Sequence, residues 1–390
     1  MTAENEISKA FSKWKIYLAL FFGLGISGFL FYRSMQQSEF AAVEEGSGTH
    51  VWVDHNHNGK VDLSDPLEFR PDSLAGDYSR LKAWEVIRNI EWTGHTFFWI
   101  AMALLAMVGR DVAYMWRIRI LTHRELTWKT SFTVIMLWEF ASALSPGVLS
   151  GAAVAMFILN REKIAMGRST AIVIITAFFD NLFYVLMIPF VFLFISSDFL
   201  FPDDVGGARA TEVIFWSGFG VFSLLCLLLY LSIFQFPYLM KRILSAVTSL
   251  PLLKRWRAKA GQTGEDIALT AIVLKSEKFA FWLKTFAATM ASWTSRYLVI
   301  NFILQAFVTL GLLQHIQVLA KQLVMWMFLR VSPTPGGSGV AEWAFSELLA
   351  DFSSSAVLLA GMAVLWRLIS YFPYLFIGSA ILPRWLRRKR

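Results

Sequence analysis

The amino-acid sequence predicts an all-α polytopic membrane protein, with about six spanning helices and two re-entrant broken helices arranged as an inverted repeat. Apolar residues make up 56% of the chain and charged residues only 16%, whereas soluble domains carry about 25% charged residues. The apolar residues come in blocks of about twenty, the length that a helix needs to cross the hydrocarbon. Basic residues lie between these blocks, so the net charge of +8 reflects membrane topology and indicates no nucleic-acid partner.

Six apolar blocks are predicted to cross the bilayer: 16–32, 93–109, 171–196, 213–237, 285–312 and 355–382. Lys9, Lys13 and Lys15 precede the first block and no small-residue cleavage pattern comes after it, so it is predicted to be a retained helix and not a signal peptide. The basic flanks place both chain termini in the cytoplasm, with the protein in the inner (plasma) membrane. Residues 34–90 are then extracytoplasmic.

Two longer apolar blocks, 131–159 and 316–350, are each interrupted by proline and glycine. The first contains SPG at 145–147 and has basic residues on both sides, so it is predicted to enter and leave on the cytoplasmic side. The second contains PTPGGSG at 333–339 and has no basic cluster beside it, which indicates the outer side. A Pro-Gly break suits two half-helices, and the topology alternates consistently only if both blocks are re-entrant.

The two broken blocks are also alike in the apolar helix that comes after each of them. This helix contains a charged residue in both cases, Asp180 after the first break and Arg367 after the second. A proline comes next in each helix, Pro189 or Pro373. Because the flanking charges of the two blocks are opposite, the copies should be inverted, which is a transporter architecture with substrate sites near the bilayer midplane.

A Pro-Gly break exposes the N-terminus of its second half-helix, where unpaired backbone N–H groups and the positive end of the dipole favour an anion such as a lipid phosphate. Glycine also lets a ligand approach the backbone closely. The predicted substrate-binding residues at the breaks are Pro146, Gly147, Pro335, Gly336, Gly337 and Gly339. The alternative is that these residues only permit a tight turn and close helix packing.

Charged residues inside apolar helices are costly and mark functional sites by default. The charged residues within the predicted helices are Glu139, Asp180, Arg296, Lys321, Glu342 and Arg367. Asp180, Arg296, Glu342 and Arg367 are predicted to contact substrate, with Glu342 and Arg367 facing a shared polar cavity. The alternative for these two residues is a structural Glu–Arg pair, and for Lys321 it is snorkelling to the interface.

Two segments carry a family resemblance. PTPGGSGVAEWAF at 333–345 and WRLISYFPYLFIG at 366–378 resemble the flippase-like transmembrane domain family, which is related to the membrane half of lysyl-phosphatidylglycerol synthases. SPGVLSGAAVAMFILNREKIAMGRSTA at 145–171 matches in outline, with Ser150-Gly151 where many members have Gly-Glu. The resemblance covers about 90–385 and implies lipid translocation between leaflets. The synthases add a soluble aminoacyl-transferase domain, which is not expected here because the sequence ends in a basic tail.

The extracytoplasmic segment contains VWVDHNHNGKVDLSDP at 51–66, which has the pattern of an EF-hand-type calcium loop. Its predicted Ca²⁺ ligands are Asp54, Asn56, Asn58, Lys60 (through its backbone carbonyl), Asp62 and Asp65. Asp at the last position resembles dockerin-like loops, and asparagine ligands predict weak affinity. The alternatives are a zinc site that uses His55 and His57, and a turn without metal.

The sequence therefore predicts a lipid translocase that moves an anionic phospholipid or a lipid-linked intermediate, with membrane phospholipids as its partners. The alternatives are a membrane transferase acting on a lipid-linked donor and a non-transporting partner of a separate lipid synthase. An enzyme is the less expected class, because the sequence has no nucleotide loop and no catalytic His/Asp/Ser pattern. The predicted domains are 1–33 (tail and first helix), 34–90 (outer loop), 91–385 (flippase-like domain) and 386–390 (basic tail).

Overall fold

The computed structural model describes residues 21, 25, 28–29, 31–36, 38–55, 57, 59, 61–144, 149–201, 208–250, 254–255, 257–274, 276–332 and 334–387. Helices dominate these residues, which confirms the predicted helical, polytopic membrane fold. Within the described part, five segments are long and apolar enough to cross a membrane by length and composition: Gly94–Leu121, Met166–Phe192, Thr211–Phe234, Leu312–Arg330 and Ala356–Arg387. Most of the predicted span 16–32 lies outside the described residues.

The helices and strands are arranged along the chain in two groups. The strands come first: β1 (Ser38–Ala42), β2 (Gly48–Trp52), β3 (Phe69–Gly76) and β4 (Tyr78–Lys82). The helices come after them: α1 (Ala83–Arg88), α2 (Gly94–Leu121), α3 (Trp128–Leu144), α4 (Leu149–Arg161), α5 (Met166–Phe192), α6 (Ser197–Leu200), α7 (Ala208–Phe234), α8 (Leu239–Val247), α9 (Arg257–Leu274), α10 (Phe279–Phe307), α11 (Leu312–Val331), α12 (Val340–Leu348), α13 (Ala356–Ser370) and α14 (Phe372–Arg387).

The chain forms two compact units. The first unit contains Ala106–Tyr297 and Tyr374–Arg390, and the second contains Lys13–Leu105 and Leu298–Pro373. The long helices α2 and α10 contribute residues to both units. The helices on either side of the predicted first break therefore belong to the first unit, and those on either side of the second break belong to the second.

In the first unit, the block 131–159 forms two helices, α3 and α4, which pack against each other. Gly151 permits this packing, because a methyl group at its position would overlap the Ser142 side chain. Helix α4 also packs on α5, which contacts α7 and α9. Residues of α5 are largely buried whereas those of α7 are mostly exposed, so α5 is central and α7 is left to face lipid.

In the second unit, α11 and α12 are joined by the glycine-rich turn, and α12 packs on α13. The rings of Phe345 and Trp366 stack at this contact with centroids 5.7 Å apart. The predicted span 355–382 is two helices, α13 and α14, which meet at Tyr371. Pro373 is the second residue of α14, where its missing N–H costs no helical hydrogen bond.

The segment 34–90 contains a four-stranded antiparallel sheet with the order β1-β4-β2-β3, which the all-α prediction omits. Phe40 and Phe69 stack in its core with ring centroids 4.1 Å apart, and Tyr78 meets Phe69 edge-on. Three of the strands have only five residues, so they are too short to show an alternating apolar pattern against their polar surroundings.

Glu39 on β1 joins this sheet to a membrane helix of the same unit. Its carboxylate is buried and accepts hydrogen bonds from the Val357 backbone N–H (2.7 Å) and the Ser355 hydroxyl (2.7 Å), at the N-terminus of α13. A negative charge there satisfies an otherwise unpaired helix N–H and is favoured by the helix dipole. The four-stranded sheet is thus fixed to the helix that carries Arg367.

Candidate functional site

Two arginines of α2 are buried inside the first unit. The helix α2 extends beyond the predicted span 93–109 and ends at Leu121. Arg110 is 1% exposed and Arg117 is 4% exposed. Tyr114 lies between them on the same helical face, with its ring centroid 4.5 Å from the Arg110 guanidinium and 4.4 Å from that of Arg117. Sequence analysis missed both residues, although the spacing 110, 114 and 117 is itself a signal of one polar helix face.

Arg110 is held by groups from three parts of the first unit. Its Nη2 lies 2.9 Å from Glu139 Oε1 on α3, and its Nη1 lies 2.9 Å from Asp111 Oδ1. Nη1 also donates to the Tyr374 hydroxyl on α14, which in turn donates to Asp111 Oδ1 at 2.7 Å. The guanidinium is therefore fixed by charge-assisted hydrogen bonds, which are stronger than neutral ones.

Arg117 is paired with Asp180, the charged residue that the sequence singled out on α5. Nη1 of Arg117 lies 2.6 Å from Asp180 Oδ1 and 3.2 Å from Thr289 Oγ1 on α10. The Trp293 indole N–H also donates to Asp180 Oδ1 at 2.8 Å. Substrate contact by Asp180 stays a prediction, and the structure adds its cationic partner.

A small polar cavity lies beside these pairs, with a volume of about 60 Å³. It is lined by Tyr114, Arg117, Ile118, Ile135, Trp138, Glu139, Thr176 and Asp180. Three charged residues line it, and Arg110 and Asp111 are joined to them through Glu139. We call these five residues, with two buried guanidinium groups and three partly buried carboxylates, the buried ionic cluster: Arg110, Asp111, Arg117, Glu139 and Asp180. Because buried charge in membrane helices is costly, such a cluster marks a functional site by default.

The glycine-rich turn of the second unit is built for close packing. Gly336, Gly337 and Gly339 have φ values of 58°, 69° and 87°, which side chains rarely adopt. A Cβ at Gly336 would overlap the Tyr371 ring, and one at Gly337 would lie 2.8 Å from Leu329 Cδ2. This geometry agrees with the alternative of a tight turn.

Arg367 and Glu342 lie together, as the sequence predicted, and both are 4% exposed. Arg367 Nε is 3.2 Å from Glu342 Oε1. Its other nitrogens donate to the Gly336 carbonyl (3.0 Å) and to the Ser338 hydroxyl (3.1 Å), while its guanidinium lies over the Tyr371 ring at 3.8 Å. These contacts stabilise the turn, which agrees with the alternative of a structural Glu–Arg pair.

The half-helix N-terminus at this turn already has an anionic partner. Glu342 Oε2 accepts the Gly339 backbone N–H at 2.7 Å, so the protein's own carboxylate occupies the position where an external anion was predicted. Substrate binding by Pro335, the three glycines, Glu342 and Arg367 stays a prediction.

The remaining residues singled out from the sequence lie outside both the buried ionic cluster and the Arg367–Glu342 pair, or outside the described residues. Arg296 lies over the Trp293 ring at 5.6 Å and forms no ion pair with any described residue. Lys321 is 5% exposed and its Nζ lies 2.5 Å from Asp351 Oδ2, so it is paired and not snorkelling. Pro146 and Gly147 lie outside the described residues.

The predicted calcium loop is described only in part, because Asn56, Asn58 and Lys60 lie outside the described residues. Asp54 Oδ2 accepts from the Gly59 backbone N–H at 2.9 Å. Asp62 and Asp65 each accept a backbone N–H two residues ahead, both at 2.9 Å. Within the described part of the chain, no three His, Cys, Asp or Glu residues form a metal-binding group. Calcium binding stays a prediction.

Comparison with known proteins agrees with the resemblance seen in the sequence. The family model for the lysylphosphatidylglycerol synthase TM region matches residues 80–378. A curated UPF0104 membrane protein of Archaeoglobus fulgidus is 23% identical over 310 residues, which cover 76% of this chain and 88% of that protein. No solved structure matches the chain. Because the family match covers well over half of the sequence, the chain belongs to the lysylphosphatidylglycerol synthase transmembrane-region family.

Proposed function

We propose that this membrane protein of lipid metabolism moves a phospholipid or a lipid-linked intermediate between the two leaflets of the plasma membrane. The observation that carries the proposal is the buried ionic cluster, in which charged side chains from α2, α3 and α5 meet beside a cavity. Charged residues inside membrane proteins typically line substrate paths. The family name refers to a phospholipid, which supports a lipid as the substrate.

The cluster has the chemistry to bind a phosphate headgroup. Guanidinium groups bind phosphate through two parallel N–H bonds, so Arg110 and Arg117 can exchange a carboxylate partner for a lipid phosphate. A cavity of about 60 Å³ is too small for a headgroup. The proposal therefore requires α2, α3 and α5 to separate when the lipid enters, with Glu139 and Asp180 closing the site again afterwards.

The test is lipid movement in vesicles that contain only the purified protein. Vesicles that contain fluorescently labelled phospholipids with different headgroups are treated with a membrane-impermeant quencher. Quenching of the label that starts in the inner leaflet reports its transfer to the outer leaflet. Wild type should accelerate transfer of one headgroup class over protein-free vesicles. A double variant, Arg117→Gln with Asp180→Asn, keeps a neutral hydrogen-bonded pair but removes the phosphate partner, and should lower the rate about tenfold or more.

Arg119→Gln is the matched control for this double variant. Arg119 lies on the same helix, but its Nε donates to the Leu126 carbonyl at 3.1 Å and its guanidinium lies over the Trp128 ring at 4.4 Å, outside the cluster. Its transfer rate should equal that of wild type. Wild-type rates in the folded double variant would refute the cluster as the lipid path. No transfer by any form would favour a non-transporting partner of a separate lipid synthase.

A further inference from the structure

The buried ionic cluster carries one more negative charge than positive. Arg110 and Arg117 supply two guanidinium groups, which stay charged in proteins. Asp111, Glu139 and Asp180 supply three carboxylates in the same network. A net charge buried among membrane helices is costly unless a counter-charge neutralises it.

Among the described residues, no further cation forms an ion pair with a carboxylate of the cluster. From α10, the Trp293 indole N–H donates to Asp180 and the Thr289 hydroxyl oxygen accepts from Arg117, so both contribute neutral groups. Arg296 stacks on Trp293 without pairing to a described carboxylate. From α14, Tyr374 contributes a hydroxyl. From α2, Tyr114 contributes only its ring face to the two arginines. The excess negative charge is therefore not balanced by the described neighbours.

The cavity is the place where a cation could balance the excess negative charge, because two carboxylates of the cluster line it. Glu139 pairs with Arg110 through Oε1, and Asp180 binds Arg117 and Trp293 through Oδ1. The second oxygen of each carboxylate has no hydrogen-bond partner among the described residues, and both residues line the cavity. These two oxygens are free to accept a proton or to bind a cation.

Thr176 is a second, independent sign of a ligand at this place. It lines the cavity, is 5% exposed, and its buried hydroxyl has no hydrogen-bond partner among the described residues. An unsatisfied buried hydroxyl costs about 1–3 kcal/mol. A cavity of about 60 Å³ fits one small cation with a water molecule, since water occupies about 30 Å³ in the liquid.

We propose that this cavity takes up one monovalent cation, H⁺ or Na⁺, between Glu139 and Asp180, and that its binding drives lipid movement through the same cluster. The coupling rests on the proposed function, whereas the binding does not. As a proton, the cation would sit on a free carboxylate oxygen. As Na⁺, it would use both carboxylates and the Thr176 hydroxyl, which are the hard oxygen ligands that such ions prefer.

Binding is measured without transport, by infrared difference spectroscopy of the whole protein in vesicles. Acidification should produce a protonated-carboxyl band, or addition of Na⁺ at constant pH should shift a carboxylate band. Either response should be absent in Glu139→Gln and present in Glu265→Gln. Glu265 is a matched control, because it forms an exposed pair with Lys241.

A second variant tests the Na⁺ response if Glu139→Gln does not fold. Thr176→Val keeps the side-chain shape and should weaken Na⁺ binding about tenfold, while leaving a proton response in place. The ion that produces the wild-type response identifies the cation. Lack of any response to both ions in wild type, or an undiminished response in folded Glu139→Gln, would overturn the proposal.

The coupling is measured by imposing a pH gradient or a Na⁺ gradient on the lipid-transfer assay. The gradient of the bound ion should raise the rate of lipid transfer by wild type. The rate of lipid transfer by Glu139→Gln should be the same with and without the gradient. Transfer by wild type that is independent of both gradients would overturn the coupling and leave the proposed function standing. Ion binding without any lipid transfer would overturn the proposed function and leave the cation site standing.

Discussion

Removal of the Arg367 guanidinium should unfold the glycine-rich turn. Arg367→Met keeps much of the side-chain volume, but it leaves the Glu342 carboxylate buried at 4% exposure without its cation. Breaking one side of a buried pair costs about 3–5 kcal/mol. The variant also loses the hydrogen bonds to the Gly336 carbonyl and the Ser338 hydroxyl, which overlap with that cost and are not added to it.

The assay is thermal unfolding of the detergent-solubilised protein, monitored by tryptophan fluorescence. A loss of this size corresponds to a fall in Tm on the order of 10 °C. The double variant Arg367→Met with Glu342→Gln should recover at least half of that fall, because no unpaired charge remains buried. Arg384→Met, at an exposed position on α14, should melt like wild type. A wild-type Tm for Arg367→Met, or no recovery in the double variant, would refute the role of the pair.

Two further substitutions test the packing of the second unit. Gly336→Ala should lower the free energy of unfolding by about 1–3 kcal/mol, because the φ of Gly336 is 58° and the new methyl group would overlap the Tyr371 ring. Gly361→Ala is the control, because Gly361 lies in open space on α13, and it should be neutral or slightly stabilising. An equal melting temperature for both variants would contradict this prediction. Glu39→Gln should weaken the hydrogen bond that caps the Val357 N–H, and so speed amide hydrogen exchange in the first turn of α13. Unchanged exchange there would show that the four-stranded sheet does not stabilise the N-terminus of this helix.

Much of the architecture can be predicted from the sequence, because the hydrophobic length and the basic flanks of a membrane helix are local properties. The sequence also predicts that Arg367 and Glu342 share a polar cavity or form a structural pair, and the structure shows the pair. The sequence does not show what these residues bind. Their partners are a turn carbonyl, a serine hydroxyl and a helix N-terminus, which are brought together only by tertiary packing.

The buried ionic cluster escaped the sequence analysis for a physical reason. A basic residue after an apolar block normally marks the end of a span, so Arg110 and Arg117 fall outside the predicted span 93–109. Their burial depends on Glu139 and Asp180, which arrive from α3 and α5, and no local pattern on α2 encodes those partners. The four-stranded sheet is not predicted because most of its strands are short, and its register depends on pairing between distant segments.

The central claim is that the buried ionic cluster lies on the path of the lipid headgroup. Its most direct test uses a phospholipid with a thiol-reactive headgroup in vesicles, and a protein whose one cysteine is replaced by Cys226→Ala. Ile135→Cys, at the cavity, should be labelled by that headgroup, while Leu224→Cys, on the exposed face of α7, should not be. No labelling at position 135, or equal labelling at both positions, would contradict the account.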